Sequence, residues 1–194
     1  MQRWRNIPVT TIVSLFVCLT MTACQQSQQG PEAEALRRGI DLVNRGRYDE
    51  AITELTNAIQ ANPTSARAYY NRGRAYVGKD ETNQAIGDYS KAIELNNPEI
   101  IQGAYNNRGQ AYEKLSDFDH ALADYTKGID VMPNPTFSGY RQFQATLRRN
   151  RAEIYLSRRA YDKAWEDVQS IKKLGFEVEP EFLEQLKQAS GRNQ

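Results

Sequence analysis

Histidine is nearly absent from this chain: His120 stands alone among 194 residues. That count removes every His pair, every triad built on a second histidine and every multi-histidine metal site. Cysteine is as scarce, since Cys18 and Cys24 are the only two and both stand close to the N-terminus. No glycine-rich phosphate loop occurs. An excess of one charge is lacking as well: 25 basic residues against 24 acidic ones leave a net charge of +1. Near neutrality argues against nucleic acid as a partner and against a polybasic membrane surface. His120 sits among polar residues and reads as a solvated surface group. With no constellation for chemistry, the chain is read as no enzyme, with no metal and no cofactor.

What the chain does have is itself, several times over. Residues 71–76 read NRGRAY, 107–112 read NRGQAY and 150–155 read NRAEIY. A second patch alternates with the first: YDEAI at 48, AIGDYSKAI at 85, ALADYTKGI at 121 and YDKAW at 161. The unit is helix, turn, helix. Its spacing shows in Ala51, Ala85, Ala121 and Ala164, which stand 34, 36 and 43 residues apart. A unit this small cannot bury its own apolar face, so neighbours must stack and share a core.

A period near 34 with small residues at two fixed places resembles the tetratricopeptide repeat (TPR) family. Gly39, Gly73 and Gly109 fall at repeat position 8, the four alanines at position 20, and Pro63 and Pro133 at position 32. Tyr76, Tyr112 and Tyr155 fill the large position 11, with Leu42 there in the first unit; Leu55, Tyr89, Tyr125 and Val168 fill position 24. Small residues at 8 and 20 let two antiparallel helices approach closely while the large ones fill the space beside them. The resemblance implies an all-α fold: a right-handed superhelical solenoid of about four helix-turn-helix units with a C-terminal capping helix. The units expected are residues 32–65, 66–99, 102–135 and 145–178. Ile100 and Ile101 are inserted before the third and residues 136–144 before the fourth.

Within the fourth unit Ala152 replaces the usual glycine. Pro133 and Pro135 stop the helix before the insertion, and Tyr140, Phe143 and Leu147 carry an apolar stripe at spacings of three and four into the next one. Gly175 marks a helix end and Pro180 a helix start. Residues 180–190, with Phe182, Leu183 and Leu186 on one face, are expected to be the lid of the array.

The N-terminus is of another kind. Arg3 and Arg5 precede an uncharged, mostly apolar stretch from Ile7 to Met21, and small residues precede Cys24, the layout of a secretory signal in residues 1–23. The tetrad Met21-Thr22-Ala23-Cys24 resembles the bacterial lipobox, with Met21 where leucine is usual. The resemblance implies cleavage before Cys24, lipid modification of that cysteine, and a membrane anchor through it. Gln25, in place of the aspartate that retains such proteins at the inner membrane, points to the outer membrane facing the periplasm of a Gram-negative source. Residues 24–31 then form a short lipidated tether. Cys24 is left as the only cysteine, so no intramolecular disulfide is expected.

One pattern departs from the common family sequence. Position 7 is Arg38, Arg72, Arg108 and Arg151, and position 23 is Glu54, Asp88, Asp124 and Asp167, always 16 residues apart. Antiparallel helices on either side of a turn can bring such residues together, so a ladder of structural ion pairs is expected.

The resemblance also implies where partners bind: the concave face lined by the first helix of each unit. Here that face reads Arg67, Tyr70, Asn71 and Arg74, then Asn106, Asn107 and Gln110, then Arg149 and Asn150. Amides at recurring positions suit the backbone of an extended peptide; holding neighbouring helices together is the other use open to them. The lysine and asparagine that chaperone-binding TPR domains use at positions 5 and 9 of the first unit are replaced by Leu36 and Ile40. With Val43 these form an apolar stripe open to a partner, to a second copy in a homodimer, or to the tether. The function expected is a membrane-tethered adaptor for peptides or partner proteins, similar to outer-membrane TPR lipoproteins that scaffold envelope enzymes and, more distantly, to pilotins that assist secretin or pilus assembly. An envelope enzyme or carbohydrate binder would instead need acids and stacked aromatics converging in one cleft.

Overall fold

The computed structural model describes residues 30–131 and 139–192; the expected signal segment, Cys24, the expected tether up to residue 29, and Pro133 and Pro135 lie outside them. Among the described residues there are nine helices and no strand: α1 (Pro31–Asn44), α2 (Tyr48–Ala61), α3 (Ala66–Gly78), α4 (Thr82–Glu94), α5 (Ile101–Lys114), α6 (Phe118–Asp130), α7 (Tyr140–Ser157), α8 (Tyr161–Lys173) and α9 (Pro180–Ser190). The odd-numbered helices from α1 to α7 open the four repeats and the even-numbered ones close them. Each helix packs on the next in chain order, and successive opening helices also touch, α1 with α3 and α3 with α5.

The small positions set the spacing of each pair. The four position-20 alanines are fully buried. At Gly73 an added Cβ would lie 2.7 Å from the ring of Tyr89, which is 1% exposed. Gly39 meets Leu55 and Gly109 meets Tyr125 in the same way. The turn inside each repeat uses a left-handed residue at position 15: Gly46, Asp80, Ser116 and Arg159, with φ of 74°, 67°, 59° and 60°. In this turn a backbone N–H reaches the carbonyls of the preceding helix, as Ser116 N does to Glu113 O at 2.7 Å, and so satisfies groups that a helix end leaves open.

The two insertions lengthen helix starts. Ile101 opens α5 and is buried. Helix α7 starts at Tyr140 and runs 18 residues, so Phe143 and Leu147 reach back into the repeat 3 cluster of Ala121 and Tyr125. Gln144, 3% exposed, donates from Nε2 to Ile129 O at 3.0 Å and fixes that overlap. At the other end α9 closes the stack, with Phe182 and Leu186 buried in one cluster with Trp165, Val168, Ile171 and Val178. Trp165 Nε1 donates to Ser190 Oγ at 3.2 Å. No described helix is long and apolar enough to cross a membrane.

Candidate functional site

An ion-pair ladder binds the hairpins that carry the site. Arg72 donates from Nε and Nη2 to both Asp88 oxygens at 2.8 Å, Arg108 to both Asp124 oxygens at 2.7 Å, and Arg151 to Asp167 at 2.9 and 2.7 Å. The third nitrogen leaves its own repeat. Nη1 of Arg72 donates to Thr56 Oγ1 at 3.1 Å, that of Arg108 to Ser90 Oγ at 2.8 Å, and that of Arg151 to Thr126 Oγ1 at 3.0 Å. Each acceptor is position 25 of the preceding repeat, so one guanidinium binds its own hairpin together and ties it to the unit before. No unit precedes that of Arg38 among the described residues. Its Nη1 turns to Glu34 at 2.9 Å while Nε reaches Glu54 at 3.0 Å, and its side chain is 47% exposed. The Asp88 hydrogen bond raises the Arg72 pKa above the ordinary arginine value. Burial opposes the charge of Arg108 and Arg151, but Asp124 and Asp167 outweigh it and both pKa values are raised.

On the opening helices, Tyr70 at position 5 of repeat 2 sits against Gly103 at position 2 of repeat 3. The ring of Tyr70 lies over Gly103, where a Cβ would come within 3.0 Å of the hydroxyl oxygen. Burial pushes the Tyr70 hydroxyl up from its usual range, with Arg74 and Asn107 acting the other way. Three amides run across the repeats toward it: Asn150 donates to Asn106 Oδ1 at 3.1 Å, Asn106 to Asn107 Oδ1 at 3.2 Å, and Asn107 to the Tyr70 hydroxyl at 3.2 Å.

These contacts correct part of the sequence expectation. Asn71 and Asn106 are 6% and 7% exposed, and Asn71 donates to Arg67 O at 2.8 Å while accepting from Arg74 Nη1 at 3.0 Å. Their amides face neighbouring groups of the fold rather than a groove, because the opening helices approach closely enough to cover position 6 of repeat 2 and position 5 of repeat 3. Arg149 is likewise taken: it pairs with Glu153 at 2.7 Å and with Glu179, lies 5.5 Å over the ring of Phe182, and buries its Nε without an acceptor. It ties the capping helix to repeat 4. Val43 leaves the apolar stripe, since it is 7% exposed in a cluster with Ala51, Leu55 and Ala75.

Two hollows open on repeats 1 to 3, and a third of about 300 Å³ at repeat 4 is lined by Arg149, Asn150 and Glu179 among others. One of about 550 Å³ lies between repeats 1 and 2 and is lined by Leu36, Arg37, Ile40, Arg67, Thr64 and Asn97 among others. The second, about 370 Å³, is a pit between repeats 2 and 3 with Tyr89, Thr82 and Ala111 beneath and Arg74, Val77, Gln110 and Lys114 around it. The sequence suggested the Leu36 face and the Arg67 face as rival sites; the structure puts both in one hollow. Arg74 has neutral partners only, Asn71 and, at 3.4 Å, Asn44 Oδ1. Lys114 reaches exposed Asp80. A different lining follows at repeat 3, where Tyr125 donates to Glu113 at 2.6 Å; burial raises the Glu113 pKa, Tyr125 opposes, and Glu153 adds to the rise.

His120 is 65% exposed, bound to Asp117 Oδ2 at 2.7 Å and stacked on Tyr112. Among the described residues no three His, Cys, Asp or Glu side chains are grouped to hold a metal ion.

Stacked two-helix units with a shared core and a lined inner face define an α-helical repeat solenoid. The chain belongs to the tetratricopeptide repeat family: the Tetratricopeptide repeat model matches residues 66–97 and 103–135, and the TPR repeat model matches 39–80. A FAM10 family protein of Arabidopsis thaliana is 41% identical over 58 residues, which is 30% of this chain and 13% of that relative's length. The crystal structure of MamA superimposes with a TM-score of 0.60 at 24% identity, covering 89% of this chain and 87% of that one. The first TPR of Spaghetti (RPAP3), solved with the HSP90 peptide SRMEEVD bound, has a TM-score of 0.50 at 25% identity, covering 60% of this chain and 89% of that one.

Proposed function

We propose that this chain is a protein-interaction adaptor that holds a segment of a partner protein in the groove of repeats 1 to 3, tethered by a lipid on Cys24 to a membrane of the cell envelope. One observation carries the reading. Arg37 and Arg67 line one hollow and Arg74 the next, and they make no ion pair among the described residues, whereas the ladder arginines are matched to carboxylates. Guanidinium groups left open along a groove suit the carboxylates of an acidic segment. The similar Spaghetti domain, bound to a peptide with two glutamates and an aspartate, supports a segment of that class. Leu36 and Ile40 stand where a clamp for a terminal carboxylate would need lysine and asparagine, so an internal acidic segment fits this groove better.

The reading is tested by crosslinking envelope fractions and recovering partners with the native chain and with Arg67→Glu combined with Arg74→Glu. A folded double variant should lose the partner about tenfold or more. Undiminished recovery would remove the groove as the site. Because groove charges steer encounter, recovery should also fall as salt rises.

The tether has its own test, motivated by the signal layout and the Met-Thr-Ala-Cys tetrad. Cys24→Ser is expected to block lipidation and leave uncleaved precursor or a mislocalised product. Mass spectrometry of the mature N-terminus decides it: an unmodified start at another residue contradicts the anchor.

A further inference from the structure

The first repeat differs from the others on the side where a preceding unit would pack. Positions 3 and 10 are Ala68 and Ala75 in repeat 2 and Ala104 and Ala111 in repeat 3, all buried; Ala68 and Ala75 pack into clusters with residues of repeat 1. Repeat 1 has Glu34 and Asp41 at those positions, held by Arg38 at 2.9 Å and Arg45 at 3.0 Å and about half exposed. Charge closes this edge to a further repeat. Round the same helix, roughly 100° away, Ala33, Leu36 and Ile40 form the aliphatic wall of the hollow between repeats 1 and 2. Arg37 and Arg67 rim that hollow without an ion pair among the described residues. One carboxylate lines it, that of Glu32, whose Oε1 accepts from Ser65 Oγ at 2.8 Å.

We propose that this hollow seats one phospholipid of the membrane that carries the protein: the phosphate on Arg37 and Arg67, the amine of an ethanolamine headgroup on Glu32, and the start of an acyl chain on Leu36 and Ile40. Two guanidinium groups make charge-assisted hydrogen bonds to phosphate oxygens, and the single carboxylate between them and the chain's entry suits a primary ammonium. A volume of about 550 Å³ is ample for a headgroup and the glycerol beneath it. The anchor supplies proximity. From Cys24 to Pro31 the chain spans at most about 25 Å when fully extended, and the hollow begins at Glu32, the next residue. Headgroups therefore face the site at a high effective concentration, so a seat of low intrinsic affinity is filled. Occupancy lays the charged edge of repeat 1 along the membrane and gives the array one orientation on it. The pit between repeats 2 and 3, with Arg74, is left for the partner. The seat takes its proximity from the Cys24 anchor of the proposed function, and its chemistry stands apart from that anchor.

The test uses residues 24–194 with Cys24→Ser, which keeps every described residue and carries no lipid of its own. Calorimetric titration compares dihexanoyl phosphatidylethanolamine, dihexanoyl phosphatidylglycerol, glycerophosphoethanolamine and inorganic phosphate. The first should bind about tenfold more tightly than glycerophosphoethanolamine, which lacks the chains, and about fivefold more tightly than the phosphatidylglycerol, which lacks the amine. Arg37→Gln with Arg67→Gln should weaken both lipids at least tenfold. Ile40→Ser should erase the advantage of the chains, and Glu32→Gln, which can still accept from Ser65, the advantage of the amine. Inorganic phosphate bound as tightly as the lipid would reduce the seat to an adventitious anion only, and lipid binding undiminished in the arginine double variant overturns it. Arg74→Glu separates the two readings, since Arg74 lines the other hollow. It should leave the lipid titration unchanged and lower recovery of the crosslinked partner. No lipid binding with partner loss in Arg74→Glu overturns the seat and leaves the adaptor standing; lipid binding with full partner recovery does the reverse.

Discussion

Replacing Arg108 by leucine is expected to cost about 3 to 5 kcal/mol of folding stability, because it strands a carboxylate inside the stack. Asp124 has a side chain only 5% exposed and Arg108 one 18% exposed, and the two are held by a pair of hydrogen bonds. The same change releases Ser90, through which Arg108 ties repeat 3 to repeat 2. Adding Asp124→Leu should recover part of the loss, since two apolar groups need no partner; strictly additive losses in urea unfolding would show that the pair does not interact. The first rung makes the contrast. Arg38 and Glu54 are 47% and 26% exposed, so Arg38→Leu should cost no more than about 1 kcal/mol. The gradient along the array follows from one fact: only an arginine with a repeat before it is covered and doubly anchored.

Gly73→Leu should be nearly as damaging, at about 3 kcal/mol or more, for a different reason. A Cβ at that position would stand 2.7 Å from Tyr89 Cε1 and 2.9 Å from Cδ1, and the ring is shut in on all sides at 1% exposure. The two helices of repeat 2 would have to move apart, which loosens their contacts to both neighbours. Gly87 is the control. It faces open space within α4, with nothing inside 4 Å of an added Cβ, so Gly87→Ala should stabilise by about 1 kcal/mol through helix propensity alone. Thermal unfolding of the two variants side by side reads the difference in sign.

Much of this architecture is legible in the residues, because the close helix contacts demand small side chains at a fixed period and little else satisfies them. The arginine and acid pairs show for the same reason, as a constant separation of 16 in four units. The hydroxyls that complete the ladder also recur in register, at Thr56, Ser90 and Thr126, yet their meaning needs the stacking distance between units, which no single repeat encodes. The left-handed turn residues hide in another way: Gly46 announces itself, while Asp80, Ser116 and Arg159 adopt the same backbone without a residue type that signals it.

The binding face is less legible in the sequence. Asparagine suits either a ligand or a neighbouring helix, and only the burial of Asn71 and Asn106 decides for the helix. Arg149 looked like a groove cation because the capping segment that supplies Glu179 lies 30 residues further on. Leu36 and Arg67 belong to different repeats and different chemistries, so the sequence offered no ground for joining them in one hollow.

The adaptor reading meets its most direct test in a photo-crosslinking residue placed at Gln110, which is exposed beside the pit, compared with one at Glu166, exposed on the closing helix of repeat 4. The expected result is a crosslink from position 110 to a segment of a partner protein that mass spectrometry shows to be acidic, with none from position 166. Equal capture from both positions, or capture from 110 of segments without acidic residues, would contradict it.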